Sequence, residues 1–293
     1  MHMRTIIVDK HGIRLDKYLQ SKFPTLSFNL LQRFLKENKI KVNSKKVPLN
    51  TVLNAGDELK LFILDEFLDV VEPSLDLKAI VYEDENILVV NKPSGLITID
   101  EDPLLDTLDK RIKKYLNSFD GSCCHRLDRG TQGLVIYGKT SKACDTICEA
   151  IKQHKLHKHY VCVTVGWPQP NAGEIRNYLL KDDKGFVKAY SKQVEGSKES
   201  VTKYKTIATK DELAYVDVEI FTGRTHQIRV TFKSISCPIL GDSKYGIESV
   251  NRKFKKNRQC LCAYKIQMPT FEGDLKYLSN KIFEIEKPKF NLF

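Results

Sequence analysis

HRLDRGTQGL, residues 125 to 134, reads as a charged loop that hands over to a buried strand. Asp128 stands between Arg126 and Arg129, and the apolar run Leu134 to Tyr137 follows directly. A lone carboxylate among cations stays ionised, and serves either as a nucleophile or as an ion-pair partner. Charge alone does not choose between a reactive group and a surface ion pair that ends a strand. Working outward, Ile87 to Val90 is a continuous apolar run closed by Asn91-Lys92-Pro93 and Gly95, which predicts a buried strand followed by a turn. Val161 to Val165, Val201 to Ile207 and Ala214 to Phe221 read as further strands. Ser141 is placed to cap a helix through Lys155, with Ala143, Ile147, Ala150 and Ile151 on one face. Strands outnumber helices, and the connections are too short and irregular for repeated βαβ units. The expectation is an α+β domain on a largely antiparallel sheet.

The 293 residues have room for one large domain and one small one. Hydrophobic residues make up 41% of the chain, enough for a filled core. Lys and Arg number 48 against 37 Asp and Glu, a net charge of +11. A surplus of that size favours polyanions, because neutralising phosphates releases condensed counterions. None of the eight cysteines forms a C-x-x-C pair or repeats at zinc-ribbon spacing, so they read as free, mostly buried thiols in a reducing compartment. His154, His157 and His159 lie between two cysteines and read as part of a basic turn. No signal-peptide core and no run of bilayer-spanning length is seen, so the expected location is the cytoplasm.

Charge is not spread evenly. Residues 1 to 64 hold twelve Lys or Arg and five Asp or Glu, a surplus of seven in a fifth of the chain. Ser27 is a candidate N-cap for a helix to about Glu37, with Leu30, Leu31, Phe34 and Leu35 on one face. Asn38 suits a left-handed C-cap, Ile40 and Val42 alternate with Lys39 and Lys41, and Asn43-Ser44 turns the chain. Leu59, Leu61 and Ile63 form a second alternation. Residues 65 to 79 then carry Asp65, Glu66, Asp69, Glu72 and Asp76 around Pro73, and read as an acidic linker. The catalytic region is expected at 80 to 293.

The string HRLD, followed by Thr131 and then Gly133-Leu134, resembles the active-site motif of the RluA family of pseudouridine synthases. GRTHQIRV at Gly223 to Val230 resembles that family's downstream motif, and NKPSGL, KHYVCVTVG, CPILGDSKYG and LCAYKI resemble further blocks in the expected order. The resemblance implies a bent mixed sheet with a central RNA-binding cleft. It makes Asp128 the catalytic carboxylate, Tyr160 the active-site tyrosine and Arg229 the salt-bridge partner of Asp128. Arg126 would fill the space left by a flipped-out uridine. Gly223 would permit a tight turn and Thr225 would cap the helix bearing Arg229. Thr231 and Gln132 stand where the family more often has His and Ser.

The basic N-terminal segment resembles the S4 RNA-binding domain, with Asn38 in place of the usual Gly at the helix end. That resemblance makes Arg14, Lys17, Arg33, Lys36, Lys39 and Lys41 the phosphate contacts. An S4 module joined to this catalytic domain implies 23S ribosomal RNA as substrate, with transfer RNA as the alternative, and a monomer as the default state. The reaction breaks the N1–C1′ bond, rotates the uracil and joins C5 to C1′. No electrons are transferred, so neither metal nor redox cofactor is expected. Asp128 would attack the ribose, attack the base or assist an elimination. Two other readings are a non-catalytic RNA-binding factor that keeps the fold, and a metal-dependent nuclease. The second would want clustered carboxylates near Asp128, where the sequence offers arginines.

Overall fold

The structure, a computed structural model, describes residues 3–23, 26–63, 68, 74–102, 105–183 and 185–293. Backbone contacts divide the chain into two compact units, Met1–Ser74 with Glu101–Leu105, and Leu75–Asp100 with Asp106–Phe293. Among the described residues no helix is long and apolar enough to cross a membrane.

The first unit contains β1 (Arg4–Ile7), β2 (Ile13–Arg14), α1 (Leu15–Lys22), α2 (Phe28–Lys36), β3 (Ile40–Val42), β4 (Val52–Leu53) and β5 (Glu58–Leu61). The strands form a three-stranded sheet in the order β1-β5-β3 and a separate β2-β4 pair. Ser27 caps α2, its hydroxyl accepting from the Leu30 N–H at 3.3 Å. Asn38 is left-handed (φ 58°), as are Asn43 and Ser44 in the turn after β3. Leu31, Phe34 and Leu35 of α2 pack with Ile40, Val42, Leu59, Leu61 and Ile63 into one core, and Leu30 covers its edge. Of the acidic linker, Asp65, Glu66, Asp69, Glu72 and Pro73 lie outside the described residues. Its last part, 75 to 79, packs as the start of the second unit: Leu75 is buried there, and Leu77–Ala79 forms a 3-10 turn capped by Asp76.

The second unit opens with β6 (Ile80–Glu83), β7 (Ile87–Lys92), α3 (Leu108–Leu116), β8 (Ser122–Cys123), β9 (Gln132–Gly138) and α4 (Ser141–Lys152). It continues through β10 (His157–Val165), β11 (Ala172–Lys181), β12 (Val187–Tyr190), β13 (Lys198–Lys210) and β14 (Leu213–Ile220). It closes with α5 (Gln227–Ser234), α6 (Glu248–Lys253), β15 (Leu261–Gln267) and β16 (Ile282–Glu284). Eleven strands join in one sheet, ordered β12-β11-β13-β14-β10-β15-β9-β7-β6, with β16 on β15 and β8 on β9. The pairings are antiparallel except β9 with β15, so the sheet is mixed but largely antiparallel, as expected.

Both faces of this sheet are covered, which explains its continuous apolar runs. Leu88 and Val90 of β7 and Val135 and Tyr137 of β9 face one core, shared with Tyr160, Ile228 and Phe232. Ile87, Val89, Leu134 and Ile136 face the other, under Ala143, Ile147 and Ala150 of α4. Four local expectations are corrected. Asn91-Lys92 belongs to β7 rather than to a turn, and Lys92 is wholly buried. Thr140, not Ser141, caps α4, because the Ser141 hydroxyl donates to the Asp120 carbonyl at 3.0 Å instead. His157 and His159 start β10, and only His154 lies in a turn. Thr225 caps nothing: His226 occupies the N-cap of α5 in a left-handed conformation, and the Gln227 Oε1 takes the Arg224 N–H at 3.0 Å.

Candidate active site

Asp128 sits in the loop between β8 and β9, and five attachments fix that loop. The Thr98 hydroxyl accepts from the Leu127 N–H at 3.1 Å and donates to the Leu127 carbonyl at 2.8 Å. The Arg129 carbonyl takes the Gly95 N–H at 2.7 Å, the Ser94 hydroxyl donates to Gly130 O at 2.6 Å, and Thr131 donates to Gln259 Oε1 at 2.9 Å. Lys92 braces the same region from below, its Nζ reaching Leu96 O at 2.7 Å, Pro93 O at 3.1 Å and Arg129 O at 3.4 Å. Burial holds this ammonium down to about 8, and the charge of Asp128 acts against that. Gly133, just after the loop, lies against the Ala263 backbone at φ 118°, and any side chain would collide with β15 there.

The carboxylate is not held by the arginines beside it. Arg129 turns away to the Gly95 carbonyl at 3.1 Å, and Arg126 has no hydrogen-bond or ion-pair partner among the described residues. The cation on Asp128 is Arg229, from the first turn of α5: its Nη1 donates to Asp128 Oδ2 at 2.7 Å. The rest of that guanidinium is forked onto Asp242, with Nε–Oδ2 at 2.7 Å and Nη2–Oδ1 at 2.9 Å. Asp242 is 1% exposed. Burial disfavours its charge, and Arg229 with the N–H groups of Lys244 and Tyr245 more than offsets that, leaving the carboxyl below its ordinary value. Arg229 is therefore locked by one carboxylate and offers its remaining corner to the other. Among the described residues nothing occupies Asp128 Oδ1.

A second chain of contacts reaches the same carboxylate. The phenol of Tyr245 accepts the Val187 N–H at 3.0 Å and lies 2.8 Å from His226 Nδ1. The other ring nitrogen, His226 Nε2, lies 4.0 Å from Asp128 Oδ2. Burial first, then the positive charges of Arg229 and Lys244, bring the imidazole down to about 4, so it is neutral near pH 7.

These groups line a cleft of about 410 Å³ with Arg126, Lys158, Tyr160, Arg224 and Ile228. Tyr160 and Lys158 come from β10, two residues apart and so on one face of the strand. Tyr160 is 6% exposed, and burial, with the charge of Asp128, pushes its phenol well above the ordinary range. It is a protonated, flat wall rather than a base. Lys158 is 8% exposed and has no hydrogen-bond or ion-pair partner among the described residues. Burial brings it down to about 8. Its Nζ crowds Gly223, where an added Cβ would lie 3.3 Å away. Gly223 leaves room for that ammonium, and its φ is not positive.

The cleft thus brings together Asp128, Arg229, Tyr160 and Arg126. The other expected site residues belong to the N-terminal unit. There Arg14 is forked onto Asp16, at 3.1 and 2.8 Å, while Lys39 and Arg33 pair with Glu37 at 2.6 and 3.7 Å. Lys17 and Lys36 are exposed and Lys41 is half-buried, lying over the Phe62 ring. Sequence reasoning passed over Asp242, His226, Lys92 and Lys158. Thr231, in contrast, is fully buried and does not line the cleft.

Comparison with known proteins gives the family. Residues 86–234 match the RNA pseudouridylate synthase family. The chain is 33% identical over 255 residues to ribosomal large subunit pseudouridine synthase C of Rickettsia felis, covering 81% of this chain and 83% of the relative. It is 29% identical over 287 residues to ribosomal large subunit pseudouridine synthase D of Borreliella burgdorferi, covering 93% and 87%. The solved structure of human RNA Pseudouridylate Synthase Domain Containing 1 superposes with a TM-score of 0.58 at 25% identity, over 72% of this chain and 83% of that one. The family match over half of the chain, together with a relative 33% identical over most of its length, places the chain in the RluA-type RNA pseudouridylate synthase family, isomerases that convert uridine in RNA to pseudouridine.

Proposed function

We propose that the substrate is large-subunit ribosomal RNA, and that Asp128 is the reacting carboxylate, acting on a uridine flipped out of its stack. The observation that carries the assignment of Asp128 is its asymmetric environment: Arg229 holds Oδ2 at 2.7 Å, while Oδ1 has no partner among the described residues and Asp128 itself lines the cleft. A reacting carboxylate needs one oxygen for orientation and one for chemistry. Arg229 is a positioning residue, steadied in turn by Asp242.

The remaining roles follow from what each side chain lacks. Arg126, exposed and without a partner among the described residues, enters the gap left by the extruded nucleotide. The Tyr160 ring stacks on the uracil and lets it rotate after the N1–C1′ bond breaks, until C5 joins C1′. Lys158 gains its counter-ion from a phosphodiester next to the flipped uridine, since burying a cation unpaired is costly. The reaction is an isomerisation, so every atom and electron stays within the substrate.

The choice of ribosomal RNA rests on the names of the relatives, which are ribosomal large subunit pseudouridine synthases. Residues 1 to 64, within the first unit, serve as an S4-like module, with Arg14, Lys17, Arg33, Lys36, Lys39 and Lys41 toward phosphates. The enzyme acts as a monomer in the cytoplasm. The test maps pseudouridines in total RNA by carbodiimide adduct and primer extension, with and without the gene. Loss of particular sites in 23S rRNA, restored by wild type and not by Asp128→Asn, is the expected result. Loss confined to transfer RNA would overturn the substrate and keep the chemistry.

A further inference from the structure

Three of the eight cysteines meet at the edge of the cleft, which Cys124 lines and Cys144 and Cys148 do not. Cys144 and Cys148 lie one turn apart on α4, and Cys124 follows β8 directly. The Cys144 Sγ is 4.0 Å from the Cys124 Sγ and 3.9 Å from the Cys148 Sγ, and all three sulfurs lie within 4.8 Å of one another. Three thiolates around one ion at a metal–sulfur distance of about 2.3 Å would be spaced by about 4.0 Å in a trigonal plane, and slightly less in a pyramid. The two edges that meet at Cys144 already have that length, before any ion binds. The Ser122 carbonyl oxygen stands beside the same trio, 3.9 Å from Cys124 Sγ and 3.8 Å from Cys144 Sγ, and offers a fourth donor.

We propose that Cys124, Cys144 and Cys148 form a binding site for a thiophilic d10 cation, with Zn²⁺ as its ordinary occupant. A donor set of three sulfurs with no carboxylate or imidazole selects soft and borderline ions over Mg²⁺, Ca²⁺ and Mn²⁺. Cys144 and Cys148 are half-buried, which gives the ion a way in, while Cys124 is buried and anchors the site to the sheet. Binding replaces the thiol protons with metal–sulfur bonds; the protons go to solvent and no electron moves.

The consequence for the enzyme is local. Cys124 precedes Arg126 by two residues and Asp128 by four, so an ion joining it to α4 ties the start of the reactive loop to a helix on the opposite face of the sheet. The site is a clamp at the edge of the cleft, which Cys124 lines, and the reaction does not pass through it.

The probe is Co²⁺ added without oxygen to the full, reduced chain. One cobalt per chain, with an intense sulfur-to-cobalt charge-transfer band and displacement by Zn²⁺, is expected. Cys144→Ser and Cys148→Ser should each lose the band while keeping isomerase activity and the circular dichroism of wild type, which separates loss of a ligand from loss of fold. Zn²⁺ should also protect these three thiols from a disulfide reagent in wild type and not in either variant. Absence of the band, or a band that survives in both variants, would overturn the site. So would equal thiol reactivity with and without Zn²⁺. None of these readings depends on which RNA is modified.

Discussion

Two walls of the cleft carry positive charge and treat it in opposite ways. On the α5 wall, Arg229 is 5% exposed and saturated, with Asp242 on one edge and Asp128 on the remaining corner. On the β10 wall, Lys158 is nearly as buried and has no counter-ion among the described residues. The first wall is complete before any substrate arrives, so its geometry costs nothing to arrange during the reaction. The second is incomplete and stores an unfavourable charge that an arriving phosphate would relieve. The contrast teaches which groups position the reactive carboxylate and which recognise RNA.

Breaking the saturated wall should have the largest effect on the protein itself. Arg229→Met leaves Asp242 buried without its partner, which should cost about 3–5 kcal/mol of stability. Turnover should fall by about a hundredfold or more as Asp128 loses its orientation. Arg229→Lys keeps a charge but cannot fork onto Asp242 and reach Asp128 together, so it should rescue stability in part and activity poorly. Denaturant melts and single-turnover assays read the two effects separately, and full activity in the Lys variant would refute the fork.

The open wall should respond in the opposite sense. Lys158→Met should raise KM for RNA by roughly ten- to a hundredfold, the worth of one charge-assisted hydrogen bond, with kcat little changed. The same change should not destabilise the free protein, because it removes an unpaired buried cation. The pH profile sharpens this. A lysine brought down to about 8 is charged below that pH and loses its charge as pH rises through it. RNA affinity should therefore weaken from pH 7 to 9 in wild type and weaken less in Lys158→Met. His226, near 4, and Tyr160, pushed far up, do not titrate in that window. An unchanged profile in the variant would place the titration elsewhere, Lys92 being the other candidate at about 8.

A smaller effect is expected at the relay behind Asp128. Tyr245→Phe removes the hydroxyl between Val187 N–H and His226, which should cost about 1 kcal/mol of stability and only a few-fold in turnover. A loss as large as that of Arg229→Met would mean that His226 acts on the substrate directly. The smallest effects belong to the N-terminal unit. Lys36→Ala or Lys17→Ala should weaken RNA binding to all sequences alike and lower the salt slope by about one. Arg14, already forked onto Asp16, should matter less than these two for binding.

How much of this was legible in the sequence depended on distance along the chain. Strands with both faces buried, such as Ile87–Val90, announce themselves as apolar runs, and Ser27, Asn38 and Asn43-Ser44 mark their own helix ends and turn. Asp128 stood out among its neighbours, yet those neighbours misled: Arg126 and Arg129 do not touch it, and Arg229, 101 residues away, does. Its assignment came from resemblance to a family, not from spacing. Asp242 lay unmarked inside CPILGDSKYG because its role exists only once α5 packs against it. Lys92 looked like a turn residue because Pro93 follows it, and nothing local signals three converging carbonyls. α3 carried a readable start in Thr107 and a readable stop in Asn117, and was passed over. The thiol trio was half visible as the i, i+4 pair Cys144 and Cys148; its third member comes from another element.

The central claim is that Asp128 supplies the chemistry while the surrounding cations supply position and binding. Asp128→Asn tests it most directly, because the side chain keeps its shape and its contact with Arg229 and loses the carboxylate. Single-turnover conversion of a 23S rRNA fragment should disappear, while the affinity for that fragment stays within a few-fold of wild type. Substantial conversion by the Asn variant would contradict the account.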